Sequence, residues 1–158
     1  MVWWGRVYHS HLPPMPSRTA DSDDPSALAG IAKALPALKR AQKLGKRASR
    51  VGFDWPDRRG VEAKIAEELE ELDEAAGTRD RARIGDEVGD LLFAVVNLAR
   101  HLTVDAESAL AAANGKFERR FRFMEQYFDR QGHDIEAVDR EALEAAWERA
   151  KQHGTETP

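Results

Sequence analysis

Apolar residues recur three and four positions apart in five segments of this 158-residue chain, and almost nowhere at alternate positions. That spacing puts each set on one face of an α-helix and leaves little material for a half-buried strand. From about Ser26 the run Leu28, Ile31, Leu35, Leu38 and Leu44 is helical, with Pro36 marking a kink or a break between a short helix and a longer one. A second helix is expected from about Gly60 to Ala76, with Val61, Ile65, Leu69 and Leu72 on one face and Gly77 ending it. Thr78 is placed to cap a third, whose stripe reads Ile84, Val88, Leu91, Leu92, Val95, Leu98 and Leu102. Asp105 caps a fourth, with Leu110, Phe117, Phe121, Met124 and Phe128 before Gly132, and a fifth follows Asp139 with Leu143, Trp147 and Ala150. Short connections imply antiparallel packing, so an all-α helical bundle is expected as one domain over residues 26–152. Residues 1–25, rich in proline and carrying Asp21-Ser22-Asp23-Asp24, read as a flexible leader, and 153–158 as a disordered tail.

Two of these helices carry carboxylates on the flank of the apolar stripe. Glu68 and Glu71 lie within about 60° of each other around the second helix, as do Glu87 and Asp90 around the third. With Ile65 as the centre of the buried face, Lys64, Glu68 and Glu71 fall to one side and Glu67 just beyond; Glu87, Asp90, Ala94 and Asn97 take the matching flank beside Leu91. Ala94, one turn beyond Asp90, leaves room where a larger side chain would fill the site. Four negative charges between packed helices repel unless a cation neutralises them, and an all-oxygen donor set suits Mg²⁺, with Mn²⁺ as a substitute. The plainer reading is a pair of helices whose charges complement Lys64 and Arg83, since Arg83 and Glu87 are also spaced as an ordinary surface pair. Glu62, Glu70, Asp73 and Glu74 are read as solvated surface.

The fourth helix supplies cations. Lys116 and Arg120, one turn apart, flank Phe117 and Phe121, whereas Arg119 and Arg122 turn toward solvent. A guanidinium fork suits phosphate oxygens, so Lys116 and Arg120 are candidate polyphosphate contacts. The net charge of −4 offers no global basic field, so nucleic acid is not an expected partner and phosphate attraction must be local. With no cysteine, disulfide staples, thiolate catalysis and cysteine-zinc sites are excluded. No apolar run reaches the roughly 20 residues of a membrane span, and a cytoplasmic protein is expected.

Lys64-Ile-Ala-Glu67-Glu68-Leu-Glu-Glu71, then Glu87-Val-Gly-Asp90-Leu-Leu-Phe, with fifteen residues between the two acidic blocks, resembles the EExxE…ExxD signature of MazG-type nucleoside triphosphate pyrophosphohydrolases. Ala34-Leu-Pro-Ala-Leu, the stretch from Ser49 to Trp55, Asn97-Leu-Ala-Arg and Ala113-Asn-Gly-Lys-Phe-Glu-Arg-Arg-Phe121 extend the likeness, which is to the C-terminal half of the two-domain members. The resemblance implies hydrolysis between the α and β phosphates of a nucleoside triphosphate; a homodimer or a dimer of dimers is expected, because short helices and the aromatic stripe of the fourth leave apolar surface that a monomer would expose. It also implies Mg²⁺ ligation by Glu68, Glu71, Glu87 and Asp90, with Glu67 positioning the water or a second metal. Lys64, Arg83, Asn97, Lys116, Arg120 and Lys151 match substrate-side positions, and Trp147 an aromatic near the nucleotide. Asp86 departs from the pattern, standing where relatives usually carry a glutamate.

Phe53 and Trp55, before the acidic helices, are candidates to line a base pocket, with core packing the plainer reading; the same holds for Trp147. The five histidines show no ligand spacing, and no glycine-rich strand-to-helix motif announces another phosphate fold. Three readings remain open: a general housecleaning pyrophosphohydrolase, a relative restricted to dUTP, dCTP or phosphoribosyl-ATP, and a non-enzymatic helical interaction module with an acidic face.

Overall fold

The computed structural model describes residues 25–153, so residues 1–24 and 154–158, which hold nearly all of the expected leader and tail, lie outside the described residues. Five α-helices make up the described chain: α1 Ala37–Ser49, α2 Arg58–Thr78, α3 Arg81–His101, α4 Ala106–Asp129 and α5 Arg140–His153, with a 3₁₀ turn at Ile135–Ala137. No strand occurs among the described residues, and the all-α expectation holds. No helix of the described residues is long and apolar enough to cross a membrane.

The expected short helix before Pro36 does not form; residues 27–30 and 33–34 are turns. Proline disfavours the helical region for the residue before it and lacks an N–H, in keeping with α1 starting after Pro36 with no helical extension behind it. Helix α2 runs through Gly77 and ends at Thr78, with Arg79 in the left-handed conformation at φ 61°. Thr78, expected to cap α3, instead ties the turn: its hydroxyl donates to Ala75 O at 2.7 Å and accepts from Asp80 N at 3.2 Å. Asp80 is the cap, its carboxylate accepting from the amides of Ala82 and Arg83. Asp57 caps α2 in the same way.

The described residues divide into two compact units, with the boundary between Glu107 and Ser108. In the first, α2 and α3 form a hairpin and α1 packs on α3. The close approach of α1 depends on Gly45, where an added Cβ would collide with Asn97 Oδ1. An ion pair with a histidine on the same carboxylate closes this unit: Arg100 Nη1 donates to Asp54 Oδ2 at 2.9 Å, and Arg100 Nη2 and His101 Nε2 meet Asp54 Oδ1. In the second unit α4 and α5 bury Met124, Phe128, Ala146 and Ala150, with Leu143, Tyr127 and Trp147 packed against them.

The wheel centred on Ile65 is rotated in the folded protein. The buried positions of α2 are Val61, Lys64, Glu68 and Ala75, and those of α3 are Glu87, Ala94, Val96 and Asn97. Leu69, Leu92 and Val95 are about half exposed, at 51%, 52% and 46%. The α2/α3 seam is therefore built on the polar flank, and part of the apolar stripe faces outward.

Candidate active site

Three carboxylates converge in the first unit. Glu68, Glu71 and Glu87 each present an oxygen within 4.8 Å of the others, Glu68 and Glu71 from α2 and Glu87 from α3. Glu68 is 1% exposed and Glu87 7%. A buried carboxylate without partners loses hydration that must be replaced. Glu68 Oε1 is compensated by Lys64 Nζ at 2.7 Å, and Glu87 Oε1 by Arg83 Nε at a longer 3.9 Å. The second oxygens, Glu68 Oε2 and Glu87 Oε2, are buried with no hydrogen-bond partner. Two orphaned carboxylate oxygens on facing helices are a donor set that suits a hard divalent cation.

Asp90 and Glu71 respond to this crowding. Burial raises the Asp90 carboxyl above its ordinary value, and the charges of Glu68 and Glu87 push it further, Lys64 pulling the other way. Glu71 is raised as well, by burial first and, against the pull of Lys64, by Glu68, Glu87 and Glu67. Lys64 is raised although its own burial acts to lower it, because hydrogen bonds to Glu68 and Glu67 outweigh that cost.

The remaining sequence candidates are dispersed. Glu67, about half exposed, accepts from Lys64 Nζ at 2.9 Å. Arg83 also reaches Glu74, at 3.6 Å. Asn97 is 1% exposed and committed within its own helix: Nδ2 donates to Phe93 O at 3.1 Å, and Oδ1 accepts from Arg100 Nε at 3.1 Å. Lys116, Arg120, Trp147 and Lys151 belong to the second unit. There Phe117 and Trp147 pack with ring centroids 5.4 Å apart, and the Arg120 guanidinium lies over the Trp147 ring at 5.7 Å. Arg119 and Arg122 are exposed, as expected, and Lys151 pairs with Glu148.

A cavity of about 410 Å³ opens beside Asp90, walled by Phe53, Trp55 and Phe93 with Asp54, Asn97 and Arg100 among its polar lining. Trp55 is seated against the start of α2, its ring so near Gly60 that a Cβ there would lie 2.8 Å from Trp55 Cδ1. Asp54 and Arg100 are residues that periodicity did not single out. Their signal, an acid and a base 46 positions apart, acquires meaning only once α3 lies beside the loop.

Comparison with known proteins follows the same residues. Residues 59–123 match the MazG nucleotide pyrophosphohydrolase domain, a stretch that takes in every carboxylate of the cluster together with Lys116 and Arg120. The chain is 47% identical over 129 residues to the nucleoside triphosphate pyrophosphohydrolase of Escherichia coli K12, covering 80% of this chain and 49% of that protein. It is 46% identical over 126 residues to the nucleoside triphosphate pyrophosphohydrolase/pyrophosphatase MazG of Thermotoga maritima, covering 80% of this chain and 48% of the relative. The chain thus spans about half the length of these curated relatives. Over residues 59–123, which take in Glu67, Glu68, Glu71, Glu87 and Asp90, the chain carries a match to the MazG nucleotide pyrophosphohydrolase domain.

Proposed function

We propose that this protein hydrolyses nucleoside triphosphates at the α–β phosphate bond, releasing a nucleoside monophosphate and pyrophosphate, with Mg²⁺ held by Glu68, Glu71, Glu87 and Asp90. The observation that carries the reading is the pair of buried, partnerless oxygens on Glu68 and Glu87. The domain match and the activity for which the two relatives are named support it.

When bound, the ion would supply neutralisation and polarisation of the phosphate oxygens. The chain supplies the rest. Glu67, exposed enough to meet solvent and steadied by Lys64, is proposed to orient the attacking water and take up its proton. The water oxygen bonds to one phosphorus as the bridging α–β oxygen leaves, and the proton lost by the water resides on Glu67 until it exchanges with solvent. Lys116, Arg120 and Lys151 are proposed phosphate contacts that stabilise charge on the leaving pyrophosphate. The nucleoside has two aromatic candidates, the cavity of Phe53 and Trp55 beside Asp90 and the ring of Trp147. Comparing Trp55→Ala with Trp147→Ala for binding of a non-hydrolysable triphosphate decides between them.

Homodimerisation is proposed on the outward apolar stripe of α2 and α3, where Leu69, Leu92 and Val95 expose carbon that water disfavours. Product analysis tests the activity. Incubation with Mg²⁺ and a panel of triphosphates is expected to yield monophosphate and intact pyrophosphate. A diphosphate with orthophosphate would show cleavage at the γ position and overturn the reading; no product from any triphosphate would leave the interaction module.

A further inference from the structure

Lys64 is turned into the carboxylate cluster. Its side chain is 8% exposed, and Nζ lies 2.7 Å from Glu68 Oε1 and 2.9 Å from Glu67 Oε1. Helix stability does not account for this choice. With lysine four residues before the glutamate, the pair runs in the less favourable direction along the helix, and burying an ammonium costs hydration. The account lies in the cluster itself. Glu68 is almost wholly enclosed, and Glu68, Glu71, Glu87 and Asp90 bring more negative charge together than one ammonium offsets, as the partnerless oxygens of Glu68 and Glu87 record.

We propose that Lys64 is the internal counter-cation of this site, holding Glu68 in place until a divalent ion enters and displaces its ammonium. The inference rests on the metal-binding reading above and assigns the residue that keeps the ion-free site folded. A lysine suits such an exchange, because it carries a compact charge on a flexible four-carbon stem; a guanidinium would fork across both oxygens of Glu68 and hold them. Ammonium and divalent ion repel each other across the carboxylate they share, so Lys64 stabilises the ion-free protein and weakens ion binding at once. Once displaced, the ammonium is available to an anionic ligand beside the ion, the role that the sequence resemblance gives this position. The contacts to Glu67 and Glu68 and the contact to phosphate then belong to successive states of one side chain.

The test uses the whole chain without nucleotide. Mn²⁺ binding is titrated calorimetrically, and thermal midpoints are read in chelator and in Mn²⁺, for the parent and for Lys64→Met. The variant is expected to melt lower than the parent in chelator and to bind Mn²⁺ more tightly by about tenfold or more, the scale set by removing a like charge a few ångström from the ion at protein-like dielectric. Its Mn²⁺-induced rise in midpoint should accordingly exceed the parent's. Should Lys64→Met fail to fold in chelator, Lys64→Gln, neutral yet able to donate to Glu68, carries the same affinity comparison. Mn²⁺ binding that is unchanged or weaker in the neutral variants overturns the counter-cation role and leaves the metal site standing. Absence of Mn²⁺ binding by the parent overturns the metal site itself, and the role of Lys64 with it.

Discussion

Asp90 and Asp54 lie on the same cavity and are perturbed in opposite directions, which makes their pH signatures separable. Asp90 is raised by burial and by the neighbouring Glu68 and Glu87 charges, so its ionised form opposes folding at neutral pH, and that cost fades as pH falls through the raised value. Asp90→Asn is therefore expected to raise the thermal midpoint in chelator at neutral pH, by a margin that narrows on acidification, while triphosphate turnover drops by about 10²-fold or more through loss of a charged contributor. Differential scanning fluorimetry and a pyrophosphate assay check the two halves. For Asp54, burial acts upward but the hydrogen bonds from Arg100 and His101 outweigh it and hold the carboxyl below its ordinary 3.8. Its stabilisation is present above that ordinary value and is lost as pH falls through the depressed one. Asp54→Asn should cost about 1.5–3 kcal/mol at neutral pH, the range of a hydrogen bond to a charged group, and nothing once both forms are protonated. Urea unfolding across the acid range reads this directly; a penalty that persists in acid would mean that Asp54 acts through packing. In the second unit, Arg120→Ala and Lys116→Ala are expected to weaken triphosphate turnover by about 1.5–3 kcal/mol of activation free energy, with Arg119→Ala and Arg122→Ala near the parent. Equal losses at all four positions would show that the wheel misassigns the phosphate face.

Among the helices, α1 carries the clearest conflict between local preference and packing. Gly45 sits inside α1, where glycine is less favourable than alanine by roughly 0.5–1 kcal/mol. It is also a buried residue of that helix, and its bare backbone faces the amide of Asn97 on α3. Gly45→Ala should destabilise despite the gain in helix propensity, by about 1–3 kcal/mol, because Asn97 is enclosed and committed to Phe93 and Arg100 and has nowhere to retreat. A thermal midpoint at or above the parent's would show that α1 can move away. The core positions of α2 and α3 were only partly legible from periodicity. The wheel put Lys64, Glu68 and Glu71 together on one flank, and Glu87, Asp90 and Asn97 on another. It could not choose which flank met its neighbour. Apolar content favoured the Ile65 side, whereas the fold buries Lys64, Glu68, Glu87 and Asn97 and leaves Leu69 and Leu92 about half exposed.

For the whole molecule, that outward stripe sets the expectation of a homodimer. A hairpin with Leu69, Val88, Leu92 and Val95 facing water would gain from burying them, at about 25 cal/mol per Å² of apolar surface removed. Light scattering at micromolar concentration should give twice the chain mass, and Leu92→Glu together with Val95→Glu should give a folded monomer; an unaltered dimer would move the interface elsewhere.

By itself, the sequence determined what depends on neighbours along the chain: helical periodicity, Pro36 as a boundary, and the i, i+3 and i, i+4 spacings that put the carboxylate couples on shared flanks, whereas the caps at Asp57 and Asp80 emerged only in the structure. Its acidic signature also pointed to the domain family that residues 59–123 match. The tertiary structure alone decided that Lys64 turns onto Glu67 and Glu68, that Asn97 is consumed by Phe93 and Arg100, and that Asp54 pairs with Arg100 across 46 positions. Helical rotation relates residues within one element, but the distance between side chains on different elements depends on which faces pack. In α2 and α3, that outcome follows a polar seam which hydrophobicity does not rank.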